Sequence, residues 1–335
     1  MRINHLRRRQ FITVLGGAAV AWPIVAGAQQ PERMRRIDVL MAYAESDPEG
    51  QALVAAFREG LQKLGWTESR NVRIETRWAT ADLELMQRFA TEIVALQPDL
   101  ILTQNTPTTA AMLQQTRSIP IIFATGSDPV GSGFVASFAR PGGNVTGFID
   151  MEASLASKWL GLLKEIAPRV ARVAFLFNPA TAPFAEYYLN PFKAAAPSLA
   201  VEAIAAPVHD TSSLESVIAA QASEPSGGLI VMPETFLNVH RAEVTSLAAR
   251  YRLPTVYPWR FYTKIGGLLS YGIDLPDNYR RAAVSADQIL KGAKPNELPV
   301  QAPVKLVLVI NLKTAKELQL EVPLSLLYRA DELID

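Results

Sequence analysis

The feature that most constrains this chain is an alternation that runs along nearly its whole length. Short apolar runs are each followed by a stretch in which apolar side chains recur every three or four positions. "RIDVLMAY" (36–43) reads as a buried strand, and Leu53, Phe57, Leu61 and Leu64 then share one helical face that ends at Gly65. "NVRIETRW" (71–78), "DLILT" (99–103) and "IPIIFA" (119–124) are further strands, separated by helical patterns at Met86–Val94 and Thr106–Gln115. Strands that alternate with helices of this length pair in parallel through right-handed crossovers.

The pattern restarts after a glycine-rich stretch. A helix over about 153–166 precedes "RVAFLFN" (172–178), and "LAVEAIAA" (199–206) precedes a helix that starts near Thr211 and Ser212. "GLIVM" (228–232), a helix over 236–250 and "LPTVY" (253–257) follow. The spacing therefore predicts two α/β lobes on either side of 124–150. With 335 residues, the chain exceeds the size at which one hydrophobic core stops growing. "GGLLSYG" (266–272), a helix over about 277–291, "KLVLVIN" (305–311) and a last helix from about Lys313 are left over. Leftover strands imply that the chain recrosses between the lobes, which would form a hinge beside a closable cleft.

The chain opens "MRINHLRRRQFITVLGGAAVAWPIVAGAQQ", with basic residues, an apolar stretch and then Ala26-Gly27-Ala28. That is the layout of an export signal over 1–28 cut after about Ala28, and Arg8-Arg9 gives it a twin-arginine character. Cleavage would lower the basic count from 33 to 29 against 32 acids. No polybasic surface results, which points away from nucleic acid or an anionic membrane as partner. No cysteine is present, so disulfides, a thiol nucleophile and a lipidated cysteine are excluded. The expected product is a protein of the periplasm, not embedded in the membrane.

Residues 124–147, "ATGSDPVGSGFVASFARPGGNVTG", hold six glycines directly after a strand. They lack the Gly-Lys-Ser/Thr ending of a phosphate-binding loop and the Gly-x-Gly-x-x-Gly of a dinucleotide fold. Beyond the leader only His209 and His240 remain, without metal-ligand spacing, and no Gly-x-Ser-x-Gly elbow occurs. No metal, cofactor or catalytic residue is expected.

"GSDPVGSGFVASFARPGGNVTG", "GGLLSYGIDLPDNYRRAA", "ILKGAKPNELPVQAP" and "LVINLKTAKELQLEVP" resemble the substrate-binding proteins of one class of ABC importers, some of whose members are linked to tryptophan or other aromatic amino acids. The resemblance runs from about residue 36 to 335. It implies a type I periplasmic-binding-protein fold, α/β, with two doubly wound parallel-sheet lobes and three hinge crossings. It implies as partners a small-molecule ligand and an ABC permease with a separate ATPase. Lobe one would take 35–147 plus about 268–296, and lobe two 148–267 plus about 297–335. Asp128-Pro129 would turn the chain at the cleft rim, with Gly142 and Gly143 allowing a tight turn before "NVTGF" crosses to the second lobe.

In such a fold the ligand sits at loops on the carboxyl ends of strands. Those loops carry Tyr43, Gln104, Asn105, Thr106, Thr125 and Asp128 in the first lobe, and Asn178, Glu234 and Tyr257 in the second. Tyr271 and Asp274 end the returning strand. Thr106-Pro107 has the chemistry of a helix start, suited to a carboxylate or simply to a cap. Tyr257 and Tyr271 could stack on an aromatic ligand. The ammonium of an amino acid would need Asp128, Glu234 or Asp274, with Asp128 and Glu234 favoured. Phe148, Phe177 and Phe184 read as core. Alternatives of other classes are an extracytoplasmic sensor for a receptor kinase and a two-lobed α/β enzyme.

Overall fold

The computed structural model describes residues 33–223 and 225–335; the expected export signal lies outside them. Its elements follow the predicted alternation. The first sheet is built from β1 (Arg35–Met41), α1 (Pro48–Lys63), β2 (Val72–Trp78), α2 (Leu83–Ala95), β3 (Leu100–Asn105), α3 (Thr106–Gln115), β4 (Ile121–Gly126) and β5 (Val145–Ile149). Its strand order is β2-β1-β3-β4-β5, all parallel. Chain connectivity then moves to α4 (Leu155–Ile166), β6 (Arg172–Phe177), α5 (Ala185–Ala195), β7 (Glu202–Pro207), α6 (Thr211–Ala222) and β8 (Gly227–Val231). It continues through α7 (Thr235–Val239), α8 (Arg241–Arg250), β9 (Thr255–Tyr257), α9 (Arg260–Lys264), β10 (Leu269–Ile273) and α10 (Leu275–Leu290). It ends with β11 (Leu306–Asn311), α11 (Leu312–Glu317), α12 (Leu324–Arg329) and β12 (Glu332–Ile334). The second sheet has the order β12-β11-β10-β9-β8-β6-β7.

Both sheets carry helices on both faces, as strands buried on two sides require. In the first lobe α1 and α10 pack together over Ile37, Val39 and Met41, while α2 and α3 cover Leu40, Ile101 and Phe123 on the other face. The α1 face is continuous, through Phe148 and Met151, with the core of the second lobe around Trp159, Phe175, Tyr188 and Phe192. One buried acid belongs to this frame. Asp38 is fully enclosed and held by Arg36 at 2.7 Å and Arg77 at 3.0 Å.

Three details differ from the expectation, for one topological reason: each crossing lies at the cleft end of the sheets. Residues 145–149 do not cross over; they form β5, the edge strand of the first sheet, and the crossing follows at 150–154. Likewise Leu269–Ile273 is not part of the first lobe. It pairs with β9 and β11 in the second sheet, and only then does Asp274 lead into α10 on the first lobe. Third, 298–301 stays with the first lobe, where Thr146 Oγ1 donates to Leu298 O at 2.6 Å and Phe148 bridges Gln301. A chain arriving from there enters the second sheet at its cleft edge and must run away from it. β11 is therefore antiparallel to β10, so the second sheet is mixed rather than wholly parallel. The predicted helix 236–250 is also two helices, α7 and α8, with the break at His240.

Close approach sets one glycine in this hinge. A Cβ at Gly272 would lie 1.9 Å from Pro258 O, so β10 can run beside the end of β9 only without a side chain there.

Candidate functional site

Strand ends and helix starts from both lobes converge on one cavity. It is lined from the first lobe and hinge by Tyr43, Gln104, Asn105, Thr106, Thr125, Ser127 and Asp150, and from the second by Thr181, Phe184, Glu234, Thr235, Asn238 and Trp259. About 410 Å³ of space lies between its walls, open mouth included.

The first wall is organised by local capping. Asn105 ends β3 in an extended conformation and its Oδ1 accepts from Thr108 N at 3.3 Å, closing a capping box on α3 with Pro107 in the first turn. Thr106 Oγ1 donates to Ser127 O and accepts from Ser127 N, at 3.1 and 3.0 Å. Thr125 Oγ1 donates to Gln104 O at 2.7 Å, and Gln104 Oε1 accepts from Ala42 N at 2.7 Å. These bonds tie the ends of β1, β3 and β4 into one rigid rim.

Two carboxyl groups lie in the cavity wall, both buried. Asp150, just past β5, accepts from Ser127 Oγ at 2.7 Å, Met151 N at 2.7 Å and Tyr188 Oη at 3.1 Å. Glu234 caps α7, accepting from Phe236 N at 2.7 Å and Leu237 N at 2.8 Å, and also from Thr181 Oγ1. Burial pushes Asp150 up to about 6 and Glu234 up to about 7, against the opposing pull of those donors. Unlike Asp38, neither has an arginine, and among the described residues no lysine, arginine or histidine lines the cavity. The site is thus a pair of buried acids without a cationic side chain beside them, walled by Tyr43, Phe184 and Trp259.

Two contacts hold the lobes together at its rim. Asn105 Nδ2 donates to Thr235 Oγ1 at 2.8 Å. Asp47, the N-cap of α1, takes a two-pronged bond from Arg241 of α8, at 2.8 and 3.0 Å. Arg241 also lies over the Phe261 ring at 5.4 Å. Burial lowers the Arg241 pKa, but bonding to Asp47 and its charge outweigh this and leave the guanidinium raised.

Six of the eleven sequence-derived candidates line the cavity: Tyr43, Gln104, Asn105, Thr106, Thr125 and Glu234. The other five do not. Asp128 sits at φ 44° with its carboxylate turned to Gly131 N at 2.9 Å, capping its own turn. Asn178 accepts from Ala180 N at 2.8 Å and shapes the loop that presents Thr181. Tyr257 stacks on Tyr262 at 4.7 Å, beside Thr245 and Ala248 of α8. Tyr271 is half-buried in β10, its carbonyl accepting from Trp159 Nε1 at 2.7 Å. Asp274 stands half-buried at the start of α10 and makes no cap bond.

Sequence reasoning misses Asp150 because it takes 144–148 as a crossing, so the loop after it does not count as a strand end. It stops at Ala180, short of Thr181, and takes Phe184 for core. Trp259 stands two residues past Tyr257, in the same strand-end loop, and following that loop further would have reached it.

Comparison with known proteins agrees with this architecture. The ABC transporter substrate binding protein family profile matches residues 40–334. A tyrosine-binding protein of Clostridioides difficile (strain R20291) is 25% identical over 266 residues, 79% of this chain and 76% of that one. The crystal structure of an ABC domain in complex with L-Trp from Streptococcus pneumonia is 26% identical, with a TM-score of 0.83 over 90% of this chain and 100% of that one. A conserved domain protein from Vibrio cholerae is 25% identical, with a TM-score of 0.84 over the same shares. Its two-lobed α/β fold, its interlobe cavity and a profile match over most of its length make this chain a member of the ABC transporter substrate binding protein family.

Proposed function

We propose that the chain is an exported receptor that captures an aromatic α-amino acid between its lobes. It then delivers the closed complex to an ABC permease driven by a separate ATPase. The observation that carries the ligand class is the pair of buried carboxyls, Asp150 and Glu234, in an aromatic-walled cavity without a base. A buried carboxylate of this kind is stabilised by a cation, and a ligand ammonium supplies one on lobe closure. Tyr43, Phe184 and Trp259 supply apolar area for a ring. The relatives named for tyrosine and bound to L-Trp support the same class. The leader-like residues 1–28, outside the described structure, support export, and among the described residues no helix is long and apolar enough to cross a membrane.

Calorimetric titration of the chain lacking residues 1–28 with the twenty amino acids, their deaminated acids and simple sugars tests this. Binding of tryptophan, tyrosine or phenylalanine, with the deaminated acids inert, is the expected result. Preference for a sugar or a deaminated acid over every amino acid would sink the reading.

A further inference from the structure

We propose that Tyr188 is a positioning residue whose hydroxyl, reaching from the second lobe, holds the Asp150 carboxylate for the ligand's ammonium. This inference rests on the amino-acid reading above and extends the site beyond the residues that line it.

Asp150 belongs by its backbone to the first lobe. It directly follows β5, and its N–H donates to Gly126 O at 3.2 Å. Its two oxygens are served from different sides. Oδ2 accepts from Ser127 Oγ of the same lobe at 2.7 Å, while Oδ1 accepts from Met151 N at 2.7 Å and from Tyr188 Oη at 3.1 Å. Tyr188 stands on α5, 38 residues further along the chain, and does not line the cavity. The cavity therefore presents a carboxylate whose orientation is set from both lobes, by one hydroxyl from each.

The phenol suits this task because its ring is fixed. It is fully buried and packed by Tyr187 at 5.0 Å, Trp159 at 5.8 Å and Phe184 at 6.2 Å. Phe184 is itself a cavity wall, so one side chain backs both the acid and an apolar face. Tyr188 carries a single hydroxyl hydrogen and has two acceptors, Asp150 Oδ1 at 3.1 Å and Met151 O at 3.2 Å. Met151 O alone would satisfy a buried phenol. An ionised Asp150 is the stronger acceptor and draws the hydrogen to itself, whereas a protonated one releases it to Met151 O. The hydroxyl thus favours the charged acid that a ligand ammonium needs. Burial drives Asp150 toward its neutral form, and Ser127 Oγ, Met151 N and Tyr188 Oη pull the other way. Burial, with the Asp150 charge nearby, holds the phenol well above its ordinary range, so it remains a donor at neutral pH. The other titratable groups around Asp150 are Tyr187 on α5, Glu152 in the crossing, Asp128 after β4 and Glu234 in the same cavity. None of them is a cation.

Tyr188→Phe keeps the ring and deletes the hydrogen. Affinities of wild type and variant for L-tryptophan and L-tyrosine are measured by calorimetry at pH 5, 6, 7 and 8. The ratio of the two proteins at each pH removes what Glu234 contributes to both. Without its donor from the second lobe, Asp150 should ionise about one pH unit later. The variant should then bind roughly five- to tenfold more weakly at pH 5–6 and within about twofold of wild type at pH 8. If the phenylalanine variant does not fold, 3-fluorotyrosine placed at 188 alone is measured instead. It keeps the hydroxyl and makes it a stronger donor, so binding at pH 5 should tighten by about twofold, and an unmoved profile would count against the proposal. A loss that does not recover by pH 8 would assign Tyr188 to packing, and no loss at any pH would leave Asp150 independent of it. Either result overturns this inference and leaves the amino-acid reading intact. A wild type that binds neither amino acid at any of these pH values overturns that reading and this inference together.

Discussion

The Asp47–Arg241 pair offers a direct test of how closure contributes to affinity. Asp47 precedes α1 on the first lobe and Arg241 opens α8 on the second, and their two bonds of 2.8 and 3.0 Å must break when the lobes part. Both side chains are largely shielded, at 12% and 15% exposure. Charge-assisted bonds of this geometry are worth about 1.5–3 kcal/mol each. Rehydration of both charges on opening returns most of that, leaving a net bias toward the closed form of about 1–2 kcal/mol. Asp47→Asn removes the charge but retains a good N-cap for α1, whose Glu49 N and Gly50 N are now held by Asp47 Oδ1 at 2.9 and 3.4 Å. The change should weaken ligand binding about 5–30-fold, through faster release rather than slower capture. Calorimetry and stopped-flow release, with Asp47→Asn, Arg241→Gln and the double variant, measure the coupling. A coupling energy within about 0.3 kcal/mol of zero, the range of independent sites, would refute the claim that this pair fastens the closed cleft.

Ligand affinity should rise with pH between 5 and about 7, then level. Burial raises Asp150 to about 6 and Glu234 to about 7, so the closed empty form holds protons that an unfolded chain releases near pH 4. Its stability is therefore greatest at low pH and falls as pH rises through this window, while a ligand ammonium restores the balance once the acids ionise. One ionising acid gives up to about tenfold in affinity per pH unit; Glu234→Gln should flatten the upper part of that slope, and titrations at pH 5, 6, 7 and 8 that stay parallel for both proteins would contradict it. Backbone packing gives an opposed pair of expectations. Gly272→Ala should cost more than about 2 kcal/mol because its Cβ meets Pro258 O at 1.9 Å. Gly161→Ala, inside α4 with open space around it, should instead stabilise by about 0.5–1 kcal/mol. Urea unfolding of both variants checks the two signs.

Much of this molecule is legible in one dimension. Periodicity of two and of 3.6 is a local property, so the strands from Arg35 to Tyr257 and the long helices α1, α4 and α10 can be read where they stand. The parallel pairing follows from their alternation. Cavity residues that terminate a recognisable strand, such as Tyr43, Gln104, Asn105, Thr125 and Glu234, come with that reading. The rest depended on pairings far apart in sequence. Nothing within 269–273 says that it joins β9 and β11, and nothing in "NVTGFID" says that it first borders β4 and so delivers Asp150 to the cavity. Even the two equivalent-looking acids Asp128 and Asp150 separate only in three dimensions. A neighbouring amide at Gly131 captures one locally, whereas Ser127 and Tyr188, brought from two lobes, enclose the other. Local patterning determined the elements and their order; burial, which is a sum over distant neighbours, decided which acids, which tryptophan and which crossing points make the site.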